Sequence, residues 1–325
     1  MSATAVERGP ERELGPRVGV DVGGTKVLAV LLDGADVRAQ ARLDSVPGPD
    51  GVVGAVATAV RQVCVAAGVP LAGLDGVGVG IPGLVDPSAG VVAHAVNLGI
   101  VEPLPLAARL GADLGVPVVV GNDLNVAALG AARLLGLGGD LALLALGTGL
   151  AAGLVLDGVL RRGASGAAGE IGHVTYRPDG PACSCGQRGC LELYASGSAL
   201  DAAWPSRSGR PAPVELFAAA AAGDPAAEAV RDAFADAVAA AVLVLVLSTD
   251  VEHVVLGGGV AALGAELVAA VRAALARRAA TSPFLRSLAL ADRVAVVPAG
   301  LPVGPVGAAL AVRPRTRTPE TSWKS

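Results

Sequence analysis

Apolar runs and glycine turns alternate along this chain in a recurring order. Val18-Gly19-Val20-Asp21-Val22 is followed by Gly23-Gly24-Thr25-Lys26 and then by a second apolar run, Val27 to Leu32. That pattern predicts strand, glycine turn, strand: a hairpin rather than the strand-to-helix turn of a nucleotide P-loop. A helical stretch follows at about 50–67, then a strand over Gly76–Ile81 that ends at Pro82-Gly83. A helix over Leu104–Leu114 and a strand over Val116–Val120 lead into Gly121-Asn122-Asp123-Leu124-Asn125, where a further helix opens. The second half repeats the scheme. A strand over Leu141–Leu146 meets Gly147-Thr148-Gly149, and a strand over Gly153–Leu156 leads away. Residues 198–248 read as largely helical, a strand over His253–Leu256 meets the helix-opening Gly257-Gly258-Gly259, and a strand over Val294–Val297 precedes a last helix, 303–312. The internal duplication predicts two α/β domains with a cleft between them.

Composition narrows the class. The 325 residues suffice for two domains; 53% are hydrophobic but only 2% aromatic, so Ala, Val and Leu must build the cores. The runs Leu141–Leu156 and Ala237–Leu247 fall short of the ~20 residues a membrane span needs, so no membrane association is expected. A net charge of −4 leaves no basic footprint for nucleic acid. The polar ends, 1–16 and 313–325, are expected to be disordered, Arg313, Arg315 and Arg317 included.

One histidine and three cysteines carry the sharpest chemistry. His173 ends Glu170-Ile171-Gly172-His173, and the cysteines lie in Cys183-Ser184-Cys185-Gly186-Gln187-Arg188-Gly189-Cys190-Leu191-Glu192. This is a donor set that tetrahedral zinc takes; a disulfide plus a free thiol is the alternative. No apolar signal region follows Met1, so a cytoplasmic location is expected, and there clustered cysteines favour metal. Zinc would also fix Glu170 and Glu192, whose carboxylates suit a hydroxyl-rich ligand such as a sugar. Cys64, between Val63 and Val65, reads as a small buried hydrophobe.

The glycine turns could bring bare backbone N–H groups to a phosphate, with Asp21 holding Mg²⁺ through water and Thr25 or Lys26 touching phosphate oxygens. Turn chemistry alone explains the same glycines. Asp123, at a strand's C-terminal end, could accept the proton of an attacking hydroxyl, or simply cap the helix that follows.

As an ordered set, Asp21-Val22-Gly23-Gly24-Thr25-Lys26, Asn122-Asp123-Leu124-Asn125, Gly147-Thr148-Gly149, Glu170-Ile171-Gly172-His173 and the cysteine run resemble the ROK family of sugar kinases and sugar-responsive repressors, within the actin-like ATPase superfamily. The resemblance runs from about Val18 to Leu310. It implies two actin-like (ribonuclease H-like) α/β domains: a smaller one over 17–121, joined by the C-terminal helix 303–312, and a larger one over 122–302 with a zinc loop, 173–190. It implies Asp123 as catalytic base, with Gly83, Asn97, Asn122, Glu170, His173 and Glu192 around the sugar. Asp21, Gly23, Gly24, Thr25, Lys26, Gly147, Thr148 and Gly149 match phosphate-binding turns, and Gly257, Gly258 and Gly259 the adenosine side. His173, Cys183, Cys185 and Cys190 match ligands of a structural zinc.

The implied activity is transfer of the γ-phosphoryl of Mg-ATP to the 6-hydroxyl of glucose or a close analogue, by a homodimer or higher oligomer. The Ala-, Gly- and Val-rich composition is similar to that of high-GC actinobacterial proteins, whose family members include kinases of amino sugars such as kanosamine in antibiotic biosynthesis. A non-catalytic sugar sensor is a further alternative; too few residues precede the first strand for the repressors' DNA-binding domain. Three departures stand out. Ala151 and Ala152 occupy positions often glycine, and at positive φ each would cost about 1 kcal/mol. Ala131 replaces a common glutamate, and Leu301 to Gly307 lacks an acidic pair often found there.

Overall fold

Valine-rich strands joined by the first glycine turn begin a five-stranded sheet. In the computed structural model, which describes residues 15–137 and 139–312, β1 (Arg17–Val22) pairs antiparallel with β2 (Lys26–Asp33), and β2 with β3 (Asp36–Asp44). The disorder expected at 1–14 and at 313–325 lies outside the described residues. Gly15 and Pro16, grouped with that segment by sequence, are instead held in place: the Asp75 carboxylate accepts from Gly15 N at 2.7 Å and Pro16 O accepts from Asp75 N at 2.9 Å.

Helix α1 (Pro49–Ala67) takes Pro49 in its first turn and ends at Gly68, whose φ of 67° closes it. Then come β4 (Gly76–Ile81), the small hairpin of β5 (Leu84–Asp86) and β6 (Val91–Ala93), and α2 (Leu106–Leu114). β7 (Val118–Asn122) runs straight into α3 (Asp123–Leu134). Two starts in this half fall two residues later than expected, and proline accounts for both. α2 starts at Leu106 rather than Leu104 because Leu104 precedes Pro105, which disfavours helical backbone there. β7 starts two residues late because Pro117 has no N–H to give the ladder. The strand order is β3-β2-β1-β4-β7, with β1, β4 and β7 parallel.

The second sheet repeats this plan. β8 (Leu141–Leu146), β9 (Leu150–Leu156) and β10 (Val159–Arg161) form an antiparallel meander. α4 (Glu192–Ala195), α5 (Gly197–Ala203), α6 (Ala212–Ala221) and α7 (Pro225–Thr249) follow. β11 (His253–Gly257), α8 (Ala265–Ala279), α9 (Pro283–Ser287), β12 (Val294–Val296) and α10 (Val303–Ala311) complete the chain. The order β10-β9-β8-β11-β12, with β8, β11 and β12 parallel, matches the first sheet strand for strand. The chain divides into two units, residues 15–126 with 304–312, and residues 127–303.

Alternation along β1 and β4 decides what packs on each face of the first sheet. Val18, Val20, Val22, Val77, Val79 and Ile81 join a core with Val52, Val56, Val60 and Val63 of α1. Among the described residues α1 is the one helix long and apolar enough to cross a membrane; its apolar residues from Val52 to Cys64 lie in this core, while Val65 is exposed. The other face carries glycines, and α10 lies directly on them. A Cβ on Gly19 would sit 1.8 Å from Pro305 O, and one on Gly78 would sit 1.8 Å from Ala308 O. Gly78→Ala is therefore expected to destabilise the chain by about 3 kcal/mol or more, since backbone must move to admit the methyl group. Gly54→Ala, in open space on α1, should instead stabilise by about 0.5–1 kcal/mol. Denaturant melts of both variants check the pair, and an unperturbed Gly78→Ala would contradict the packing.

Candidate active site and metal centre

Asp123 stands where β7 becomes α3, at the C-terminal end of a central parallel strand. Its neighbour does the helix capping: Asn122 Oδ1 accepts from Leu124 N at 3.1 Å and from Asn125 N at 3.3 Å. Asp123 Oδ1 takes one backbone bond, from Leu124 N at 2.9 Å, and the carboxylate is otherwise unpaired among the described residues. Burial pushes its pKa up, opposed by the backbone N–H groups of Leu124 and of Asp123 itself. Asp21 lies close by. Burial first, and the Asp123 charge second, push its carboxyl up to about 6, while Lys26 pulls the other way. Two half-buried carboxylates near enough for the charge of one to act on the other are donor chemistry a divalent cation can use. The first turn of α10 abuts this pair: a Cβ on Gly304 would lie 2.7 Å from Asp21 Cγ and Oδ2.

In the turn beside Asp21, Gly23 N donates to Lys26 O at 2.9 Å, and Ser45 Oγ donates to Gly23 O at 2.5 Å. Gly24, Thr25 and Lys26 are exposed. The corresponding turn after β8 has Gly147 N donating to Gly149 O at 3.1 Å, and Gly197 N donating to Gly147 O at 2.6 Å. Gly23, Gly24, Gly147 and Gly149 all lie outside the left-handed region, and a Cβ on Gly147 would meet nothing within 4 Å. Backbone conformation therefore does not demand glycine at these four positions. What a side chain would obstruct at Gly147 is open space from which a ligand can reach the backbone. The strain raised for Ala151 and Ala152 does not arise, because both are extended residues of β9. Ala131 is fully buried in α3, with no room for a glutamate.

Gly257-Gly258-Gly259 differs from its sequence reading. Gly257 ends β11, Gly258 turns at φ 81° against the Leu146 backbone, and Gly259 starts a short 3-10 helix, Gly259–Leu263. The α-helix begins only after Gly264. In the first unit, Asn97 sits in a 3-10 turn, Val96–Leu98, and its Cβ lies 3.6 Å from where a Gly24 Cβ would be. Gly83, at φ 104°, packs against the backbone of Ala93 and Ala95.

In the second unit, His173, Cys183, Cys185 and Cys190 bring four donor atoms within 4.8 Å of one another. Cys185 Sγ is 3.6 Å from Cys190 Sγ, and Cys183 Sγ is 3.9 Å from His173 Nδ1. Tetrahedral zinc with N and S ligands at its usual bond lengths spaces them about 3.4–3.8 Å apart, so the set fits. Local backbone explains the glycines of the run. Gly186, at φ 91°, makes the turn in which Gly186 N donates to Cys183 O and Cys183 N to Gln187 O. Gly189, at φ 64°, passes so near Arg177 O that any Cβ would collide with it. Gln187 Nε2 donates to His173 O at 3.3 Å, tying the histidine to the loop.

Glu192 opens α4 beside the cluster, its Oε1 3.2 Å from Cys183 Sγ and 3.7 Å from His173 Nδ1. A Cβ on Gly149 would lie 3.1 Å from Glu192 Oε2, so the second glycine turn and this carboxylate meet. Glu170 is exposed, and its carbonyl accepts from His173 N at 3.2 Å. Sequence reading passed over Ser45, Gln187 and Gly304. Gln187 lies within the cysteine run and Gly304 within Leu301 to Gly307, but neither residue type signals its contact there, and each of the three acts through the fold that carries it to the turn, the histidine or Asp21.

Each unit's three-stranded meander extended by two parallel strands is the actin-like ATPase fold. The ROK family model matches residues 17–311. A glucokinase of Streptomyces coelicolor is 37% identical over 190 residues, a match spanning 58% of each chain. An N-acetylmannosamine kinase of Vibrio cholerae is 34% identical over 248 residues, covering 74% of this chain and 83% of the relative. The structure of a ROK family glucokinase from Streptomyces griseus in complex with glucose and AMPPNP superposes with a TM-score of 0.72 at 32% identity, covering 91% of this chain and 98% of that one. This chain belongs to the ROK family.

Proposed function

We propose that this protein is an ATP-dependent sugar kinase that transfers the γ-phosphoryl group to the 6-hydroxyl of glucose or a close analogue. The observation that carries the reading is Asp123: a half-buried carboxylate released from capping by Asn122, at a strand end where ligands of α/β sheets bind. A carboxylate whose pKa is raised toward working pH can take the hydroxyl proton as the sugar oxygen attacks phosphorus in line. Backbone N–H groups of the two glycine turns other than those of Gly23 and Gly147, which are already bonded, would hold phosphate oxygens, and Asp21 would hold Mg²⁺, which neutralises phosphate charge when bound. Asn97, Asn122, Glu170, His173 and Glu192 would hold sugar hydroxyls, with Gly83 in the loop beside them. Gly257, Gly258 and Gly259 would pass beneath the adenosine. Zinc would be structural, because four protein ligands leave no open position for a reacting water. The reading includes a cytoplasmic enzyme acting as a homo-oligomer.

The test is ADP release across glucose, glucosamine, 3-amino-3-deoxyglucose, N-acetylglucosamine, N-acetylmannosamine and fructose. Glucose is expected to give the highest kcat/KM. Preference for 3-amino-3-deoxyglucose would make the enzyme a specialised amino-sugar kinase, and no ADP with any sugar would overturn the kinase reading.

Asp21 gives this reading a pH signature. With its folded-state pKa raised to about 6 from 3.8, the native chain holds the proton more tightly than the unfolded chain does. Its contribution thus favours folding at low pH and is lost as pH rises from about 4 to about 6. Mg-nucleotide binding requires the charged form, so affinity is expected to rise up to about tenfold per pH unit below 6 and level off above it. Titration calorimetry between pH 5 and 8 checks this. An Asp21→Asn variant that kept the same rise would assign the proton elsewhere.

A further inference from the structure

The chain has two tyrosines, two tryptophans and three phenylalanines. Both tyrosines and Phe234 line one cavity of about 290 Å³ in the second unit, together with Leu193, Val230 and Arg177. A volume near 300 Å³ is the lower end of what small organic ligands occupy. Arg177 is the cavity's one charged lining residue. Its guanidinium carbon lies 5.8 Å from the Tyr176 ring centre and 5.4 Å from that of Tyr194, and the rings meet edge to face at 5.3 Å. Arg177 is exposed, and neither ring contact takes one of its N–H groups in a hydrogen bond. Among the described residues, Arg177 forms no ion pair, and neither tyrosine hydroxyl has a hydrogen-bond partner. Apolar walls with a few convergent, unspent polar groups are the make-up of a ligand pocket rather than of core.

We propose that this cavity binds a small organic carboxylate with an apolar or aromatic body, the carboxylate taking the Arg177 edge and the body lying among Tyr194, Leu193, Val230 and Phe234. Bidentate pairing with a planar carboxylate is what a guanidinium edge is shaped for. The cavity also touches the working part of the molecule. Leu193 and Tyr194 belong to α4, whose first residue, Glu192, reaches Cys183 and His173. Arg177 and Tyr176 are pinned to the metal loop by their N–H groups donating to Gly189 O at 3.1 and 2.8 Å. A bound carboxylate would brace α4 and the loop together, and so set where Glu192 points. This coupling rests on the sugar-kinase reading; the binding itself does not.

The probe is 3-phenylpropionate, with neutral 3-phenylpropanamide as its isostere, titrated calorimetrically into the full chain without sugar or ATP. One site per chain is expected, with the carboxylate binding at least about tenfold tighter than the amide, the difference a charged hydrogen-bonded pair makes. Arg177→Gln should bring the carboxylate down to the amide's affinity. Ala233→Trp, at an exposed position of α7 lining the cavity, should abolish binding while leaving the melting temperature near wild type. Saturating 3-phenylpropionate should change the sugar KM by about threefold or more at constant kcat, as positioning of a binding group rather than chemistry predicts. Absence of saturable binding, or binding indifferent to both substitutions, would overturn the site. Binding that leaves KM unmoved in an active enzyme would overturn the coupling to Glu192, and a chain without kinase activity still answers the binding arm.

Discussion

Asp123→Asn is expected to lower kcat by at least ~10²-fold while sugar affinity stays within about threefold of wild type. The separation follows from how the strand end is built. Asn122, not Asp123, accepts the N–H groups of Leu124 and Asn125, so α3 keeps its cap when Asp123 changes. An asparagine at 123 has the same size, and its carbonyl can still accept from Leu124 N, as Asp123 Oδ1 does. What it loses is the capacity to take a proton. It also removes a charge that helps to push the Asp21 carboxyl up. A fall in kcat alongside intact ligand binding is the pattern of a group needed only in the transition state. Steady-state ADP release and calorimetry on one preparation measure both halves. Wild-type turnover would remove Asp123 from the mechanism.

Strand and turn placement in the first half was readable because valine and glycine alternate there without ambiguity: β4 falls where Gly76–Ile81 predicts it. The same alternation concealed its own purpose. Gly19 and Gly78 read as turn-free strand glycines, and only the arrival of α10, over two hundred residues away in sequence, explains them. β3 was not placed although Asp36–Asp44 alternates with period two: two of the four residues on its apolar face, Ala39 and Ala41, are small, and that face is only partly buried against the core. The metal donors were legible because their spacing is chemical information in itself, and the fold gathers all four. Glu192's contact with Gly149, and Ser45's with Gly23, are tertiary and leave no local signal. The triple glycine opens a short 3-10 helix rather than the α-helix expected. Gly258 is needed for a turn tight against Leu146, so glycine there has a packing reason before it has a ligand one.

The second large effect concerns the metal. One zinc per chain is expected by plasma mass spectrometry, and Cys185→Ser, at the exposed corner of the cluster, should lose it. Sugar affinity should then fall by at least ~10²-fold, because structural zinc supplies the energy that orders its loop. The loss would be indirect and confined to one side of the chemistry. His173 faces the cluster through Nδ1, and Glu192 stands against both His173 and Cys183, so a loosened loop takes with it two groups proposed to hold the sugar. Asp21, Gly23 and Gly24 belong to the other unit, so the share of Mg-nucleotide binding they carry should persist, while the turn at Gly149, beside Glu192, would loosen with the loop. Chelation of the wild-type protein should reproduce the variant's behaviour, and re-addition of zinc should reverse it in the wild type alone. Nucleotide binding lost together with sugar binding would mean global unfolding, while a zinc-free variant with normal sugar affinity would reduce the cluster to a loop fastening with no part in holding Glu192.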